Sequence, residues 1–368
     1  MRDVYIQTGY RTPIGISEKQ FATIRPEFLG AEVLNAIKDD LGEQTVHSVI
    51  CGNAVGTGGN IGRLTTLYSE YGQSVPALTI DMQCVSASAA ICFAFLKIKT
   101  AMADCVIAGG IESCSLQPMR TYAPKDSRNG DYTVAQFSPD SSHQMVMIEG
   151  AERVASIYNL NKTTLNNYAL ISHQKAYESQ KLGLLNDIIL PMSNKIDQGI
   201  RTKITAKILD RIPPILNKSG SITAGNSCLT HDAAAFLALS HQKSNYRIID
   251  CIEVAGDPKF SPQLILKATQ NLLDKNRLNM IEIDAIEWNE AFSVIDYIFE
   301  TYFPNHIHKY NQFGGAIAYG HPYGCSGCIN LLHLMQALKQ TNGHLGLTAI
   351  AGAGGIAMAI LIEYLGDK

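Results

Sequence analysis

No apolar run in this chain reaches the roughly twenty residues that a membrane-spanning helix needs. The most apolar stretch, 85–98, is short and rich in alanine and serine, which fits a buried helix better than a bilayer span. Basic blocks and arginine-rich stripes are absent too. With 30 Lys and Arg against 33 Asp and Glu the net charge is −3, so nothing electrostatic points to nucleic acid or an anionic membrane as partner. The opening MRDVYIQTGYRTP lacks the apolar core of a secretory signal and reads as a strand and its loop. Nine cysteines, odd in number and irregularly spaced, do not form a disulfide framework, and a reducing cytoplasmic compartment is expected. The glycine-rich GNAVGTGGNIGR from Gly52 has neither a closing Gly-Lys-Ser/Thr nor GxGxxG, so it is a connection rather than a phosphate loop.

What is present is a large core. A chain of 368 residues with 46% hydrophobic and 17% charged residues has room for two or three domain-sized units. Its focus is 78–98, LTIDMQCVSASAAICFAFLKI. The short apolar run Ala77–Ile80, bounded by Pro76, predicts a strand, and the small and apolar residues from Ser86 to Ile98 predict a fully buried helix. Cys84 then lies on the elbow between them, at a helix N-terminus where free N–H groups and the dipole favour thiolate over thiol. On position alone it is either a nucleophile or a small core residue.

Taken in order, the chain predicts a strand at Val4–Thr8, a helix over 27–40, a strand at Val46–Cys51, a helix over 62–71 and a strand from Asp104 into Gly109–Gly110. Residues 119–225 have a different texture, with Tyr122, Pro124, Asn129, Gly130 and the Ser141–Ser142 pair in a stretch of weak periodicity. They read as an inserted, loop-rich region containing a helical segment over 149–180, on which His173 and Lys175 are expected to be solvated. From Tyr246 the opening rhythm returns: a strand, a helix over 262–274, the strand AIEWNEAF and a further helix. The expected division is 1–118 plus 226–245, the insert 119–225, and 246–368.

The last third mirrors the first. In one half a loop carries Cys84, a small-residue helix follows, and the next strand ends VIAGG at 106–110; in the other a loop carries His321 in YGHPYGCSG, a helix follows over 325–339, and the next strand ends AIAGAGG at 349–355. This is a duplicated half-protein, and a pseudo-twofold relation would bring Cys84 and His321 together as an activated-nucleophile pair. Cys325 and Cys328 form a C-x-x-C near His321 and His333, but four ligands at one helix start do not readily close a tetrahedron, so no metal is expected. GAGGIA at 352–357 fits GxGxxA, yet no further strand with an acidic residue follows it.

These motifs together resemble the thiolase family. The resemblance runs from YRTPIG at 10–15 to GGIAM at 354–358, and includes the Cys84 elbow, AGGIES at 108–113, TAGNS at 223–227 followed by Asp232, NEAF at 289–292 and GGAIAYGHPYGCSG at 314–327. It implies an α/β fold of five layers, αβαβα, built from two similar halves with a loop domain inserted from the first. It implies an acyl-CoA acyltransferase of the acetyl-CoA C-acetyltransferase type, with coenzyme A thioester as substrate, no further cofactor, and a homodimer or homotetramer paired through the first half. Residue by residue, Cys84 becomes the acylated cysteine and His321 its base. Asn289 orients a water or His321 in one oxyanion site, or merely caps the turn. The backbone of Cys84 and of the 351–355 turn, beginning Ala351 and Gly352, forms the second oxyanion site. Met147, Ser227 and Cys228 line the substrate tunnel.

The departures are as informative. Members with NEAF carry a second catalytic cysteine in a CxGGG segment, as acid and base at the substrate α-carbon. Here that segment reads LTAIAGAGGIAM, so its position is Ala351 or Ala349 depending on alignment, and Cys328 is the last cysteine in the chain. Val146 and Ile148 flank Met147 where His-Met-Gly is common, Ala87 replaces a glycine, Cys228 a serine and Phe313 an asparagine. Two rivals to an ordinary thiolase therefore stand. One is an enzyme that keeps the acyl-cysteine but passes the acyl group to another acceptor or to a decarboxylating donor, as ketoacyl synthases do; the other is a silent thiolase-like subunit.

Overall fold

Two runs of strand and helix with the same design make up most of the protein, seen in a computed structural model that describes residues 1–56, 58–139 and 143–366. The Ser141–Ser142 pair lies outside the described residues. The first run comprises β1 (Val4–Arg11), α1 (Pro26–Leu41), β2 (Ser48–Gly52), α2 (Ile61–Tyr68), β3 (Ala77–Ile80), α3 (Ser86–Lys99) and β4 (Cys105–Ser113). Between β4 and its closing strand come α4 (Val146–Ile157) and α5 (Lys162–Leu182), after which β5 (His231–Ser240) completes the half. The second run is β6 (Tyr246–Ala255), α6 (Leu264–Asn276), β7 (Ala285–Trp288), α7 (Ser293–Tyr302), α8 (Ser326–Thr341), β8 (Leu345–Gly352) and β9 (Ile356–Tyr364).

Strand pairing repeats between the halves. β1 runs antiparallel to β5, β5 antiparallel to β4, and β4 parallel to β2; likewise β6 is antiparallel to β9, β9 antiparallel to β8, and β8 parallel to β7. The two half-sheets are joined where Val4–Ile6 of β1 pairs antiparallel with Tyr246–Ile248 of β6.

Alternation along each strand decides what the layers bury. On β4, Cys105 and Ile107 face outward to Leu34, Ile37 and Ile61 of α1 and α2, while Val106 and Ala108 face inward. The inward space is filled by α3 and α8, whose Ala90, Ile91, Ala94, Leu331 and Leu334 also meet Ile360 and Ile362 of the second half-sheet. Its outer face is covered by Leu272 of α6 and by Ile295 and Phe299 of α7. The order is therefore helix, sheet, helix pair, sheet, helix: the five layers expected. α3 and α8 approach closely because glycines allow it. A Cβ on Gly327 would collide with Ser88, and one on Gly52 or Gly110 would run into the carbonyl of Gly324.

Two expectations need correction. α3 is not buried all round, since Phe93 and Leu96 are 53% and 46% exposed on a flank that neither half-sheet covers. His173 and Lys175 are not solvated. The 201 and 310–311 segments close over α5, so that buried His173 accepts the Arg201 N–H at Nδ1 (3.2 Å) and Lys175 Nζ donates to the carbonyls of Tyr310 and Asn311 at 2.9 and 3.1 Å. Desolvation pushes the His173 pKa down to about 4. No helix among the described residues is long and apolar enough to cross a membrane.

Candidate active site

The elbow that carries Cys84 is held by its own side chains. Asp81 Oδ1 accepts the Gln83 N–H at 2.9 Å, Gln83 takes a left-handed φ of 54°, and Ser86 Oγ accepts from Met82 N at 2.9 Å while donating to Gln83 O at 2.6 Å. Left-handed backbone at a glutamine is strained, and it turns Cys84 into the interior at 7% exposure. The sulfur faces the backbone N–H of Ala353, in the turn between β8 and β9.

The expectation of a resting thiolate is not met. Burial pushes the Cys84 thiol up to about 12, outweighing the N–H groups of Ala353 and Cys84 that favour its charged form. Two features explain the balance: α3 begins only at Ser86, and the site excludes the water that would solvate a thiolate.

His321 stands on the corresponding elbow before α8, 1% exposed. Its Nδ1 lies 2.6 Å from Ser326 Oγ, and Ser326 Oγ is 3.0 Å from the Pro322 carbonyl. A hydroxyl has one hydrogen, and a carbonyl can only accept. With the Ser326 hydrogen on Pro322, whose carbonyl also accepts the N–H groups of Cys325 and Ser326 at 3.0 Å, the Nδ1–H donates to Ser326 and Nε2 keeps its lone pair. Asn289 agrees with this tautomer. Its Oδ1 accepts from Asn330 Nδ2 at 3.4 Å, which turns its NH₂ toward His321 Nε2, also at 3.4 Å. Burial, with His231 nearby, pushes the imidazole pKa down to about 3. The site thus holds a neutral thiol and a neutral imidazole.

Tyr323 ties the two elbows together. Its ring meets His321 edge-on with centroids 4.9 Å apart, and it packs on the apolar cluster of Cys84, Val85, Ile350 and Met358. The NEAF segment closes the site from the second half: Asn289 N donates to Ala349 O at 2.9 Å, and Cys228 N donates to Ala291 O at 2.9 Å. Cys228 is half-buried, and burial, helped by the nearby Cys84, raises its thiol pKa.

The other expected residues divide. Ser227 is buried beside Phe292, with no hydrogen-bond partner for its hydroxyl among the described residues. Met147 packs on the outer cluster of the second half rather than on the Cys84 cluster. Ala351 and Gly352 end β8, but the N–H that faces the sulfur belongs to Ala353. Ala349 and Ala351 both join the outer cluster, while Ile350 between them packs with Cys84. Cys325 is fully buried, its Sγ 3.5 Å from the carbonyls of Ala233 and Pro322. Sequence reasoning missed Ser326, Tyr323 and Glu112. Ser326 left a readable signal, a hydroxyl at the first residue of the helix after His321.

A duplicated five-layer α/β fold with cysteine and histidine on matched elbows defines an acyltransferase of the thiolase type. The chain belongs to the thiolase family: residues 4–243 match its N-terminal domain and residues 242–364 its C-terminal domain. Among relatives, VraB of Staphylococcus haemolyticus, provisionally named an acetyl-CoA C-acetyltransferase, is 31% identical over 386 residues, covering 99% of each chain. Among solved structures, Acat5 thiolase of Ascaris suum in complex with coenzyme A superposes with a TM-score of 0.90 at 29% identity, covering 99% of this chain and 100% of that one. Human mitochondrial 3-ketoacyl-CoA thiolase in complex with CoA gives 0.91 at 26%, covering 99% and 98%.

Proposed function

We propose that Cys84 takes the acyl group of an acyl-CoA thioester, acetyl-CoA first among them, and that His321 is the base of that step. The observation that carries this reading is the buried His321 imidazole, flanked by Ser326 Oγ at Nδ1 (2.6 Å) and Asn289 Nδ2 at Nε2 (3.4 Å), in the site that also buries the Cys84 thiol. The sulfur attacks the thioester carbonyl as its proton passes to Nε2; the coenzyme A thiolate leaves and takes that proton from the imidazolium. Because the resting pair is neutral, charge separates only as the sulfur–carbon bond forms. The N–H groups of Cys84 and Ala353 are the donors for the oxyanion that develops beside Cys84, and the Asn289 NH₂ serves a second oxygen near Nε2. No bound cofactor is needed for any of these steps.

The acceptor is a different question. A thiolase with two cysteines uses the second to move a proton at the substrate α-carbon, and both candidate positions here are alanine, Ala349 and Ala351. Acyl transfer to another nucleophile, or condensation with a decarboxylating donor, needs no such group. The protein is a homodimer or homotetramer in this account. β3 is the terminal strand of the sheet, and beside it Leu64, Leu67 and Leu78 are 39%, 43% and 42% exposed, an apolar edge suited to a second copy. Nine cysteines without a disulfide favour a cytoplasmic setting.

Intact-mass spectrometry after mixing with acyl-CoAs of increasing chain length tests the reading. One acyl adduct, absent from Cys84→Ala, is expected; an adduct that persists in that variant contradicts it.

A further inference from the structure

Glu112, the eighth of the nine residues of β4, is fully buried. The described groups that interact with it include Asp81, Cys51, Cys84, Cys114, Tyr323 and Cys325, and none of these is basic. N–H groups take the place of a cation. Oε1 accepts from Asn53 Nδ2 at 2.9 Å, and Oε2 accepts from the backbone of Ala54 at 3.0 Å, Val55 at 3.3 Å and Gly324 at 2.9 Å. Four donors converging on one carboxyl group fit its ionised form, which only accepts.

The donors come from two segments that lead to the two reactive side chains. Residues 53–55 follow β2, and Asn53 N donates to Ile80 O at 3.0 Å, at the end of β3 just before the Cys84 elbow. Gly324 lies in the turn between His321 and α8, where Ser326 Oγ bonds both Pro322 O and His321 Nδ1. Gly324 also reaches Glu112 at a place where β2 and β4 carry glycine, Gly52 and Gly110, so its carbonyl can come down onto both strands.

We infer that Glu112 is a positioning residue: its carboxylate clamps the segment behind the Cys84 elbow to the His321 turn and sets the approach of thiol to imidazole. The clamp acts against the nucleophile's own ionisation, because the Glu112 charge adds to what raises the Cys84 thiol. Burial lifts Glu112 itself to about 7, with its N–H partners opposing the shift. Its protonation as pH falls through that value removes acceptors from the cage, and the clamp loosens on the acid side.

The rate readout of this inference rests on the acyl-cysteine reading; the alkylation readout does not. In the full-length protein, Glu112→Gln keeps the shape, removes the charge and turns an NH₂ toward N–H groups. Acylation of Cys84 by acetyl-CoA should fall by about tenfold or more, while its alkylation by iodoacetamide at a fixed pH above about 8 should quicken by roughly threefold, half a pKa unit. Glu112→Asp keeps the charge but shortens the reach, so acylation should fall with no faster alkylation. A merely structural loss would not accelerate alkylation in one variant and spare it in the other. Wild-type acylation by Glu112→Gln, or alkylation no faster than wild type, overturns the inference. Should that variant fail to fold, Asn53→Ala removes one donor and leaves the charge; unchanged acylation there overturns it equally. If the wild-type protein takes no acyl group from acetyl-CoA, the acyltransfer reading fails, and alkylation still decides whether the Glu112 charge acts on Cys84.

Discussion

His321 Nδ1 lies 2.6 Å from Ser326 Oγ, and that hydroxyl oxygen lies 3.0 Å from the Pro322 carbonyl. With the hydroxyl hydrogen on Pro322, the imidazole is the tautomer whose Nε2 accepts a proton. Replacing His321 by Ala should slow acylation of Cys84 by roughly two to four orders of magnitude, the range for a positioned general base. Ser326→Ala should slow it by about tenfold, the worth of one hydrogen bond of about 1.4 kcal/mol. Stopped-flow release of coenzyme A measures both, and an unchanged rate in His321→Ala would remove that residue from the mechanism.

The pH dependence should separate two reactions of the same sulfur. Acylation through the base needs a neutral thiol and a neutral imidazole, and the pKa values of about 12 at Cys84 and about 3 at His321 leave both neutral over a wide range. Glu112, near 7, is ionised on the alkaline side of neutrality. Between about pH 8 and about pH 10 acylation should therefore be flat. Alkylation requires the thiolate and should rise nearly tenfold per pH unit over that span. Parallel profiles would mean that Cys84 reacts as a preformed thiolate.

Arg11 anchors the first strand to the inserted region. Its NH1 and NH2 groups each donate to Asp197 at 2.8 Å, with the two side chains 0% and 5% exposed. Arg11→Met would leave a buried carboxylate with no counter-ion, a loss of about 3–5 kcal/mol. Urea unfolding should register it, and a loss below about 1 kcal/mol would show that Asp197 finds other partners.

The apolar edge at β3 predicts assembly. Leu78, 42% exposed on the terminal strand, should lie in the contact between copies, so Leu78→Lys should shift the protein toward monomer. Light scattering of the wild type as a monomer of 40.1 kDa at micromolar concentration would contradict the proposed oligomer.

Much of the fold was legible in the sequence. The two elbows, with small residues behind Cys84 and His321, show in composition because close-packed helices need alanine and glycine there. Strand β3 matches its expected bounds, and the repeated half returns as repeated strand pairing. What escaped was nonlocal. His173 reads as solvated from its residue type, although with Ala169, Ser172 and Ala176 it lies on the buried face of α5, where it accepts the N–H of distant Arg201. The thiolate expected at Cys84 follows from helix geometry alone, whereas desolvation depends on every layer around it. Glu112 draws its donors from segments that are far apart in the chain, so AGGIES marks the residue but not its partners.

In the proposed function the acyl-cysteine half of the chemistry is intact while the α-carbon half lacks its own acid and base. Incubating the protein with acetyl-CoA in deuterium oxide reads both halves at once, through the acyl adduct on Cys84 and deuterium in the acetyl methyl group. A prompt adduct is expected, with exchange roughly 10²- to 10⁴-fold slower than in a thiolase with both cysteines, equal to about 3 to 5 kcal/mol of transition-state stabilisation. Methyl exchange as fast as in a thiolase with both cysteines, in the unaltered protein, would contradict the account.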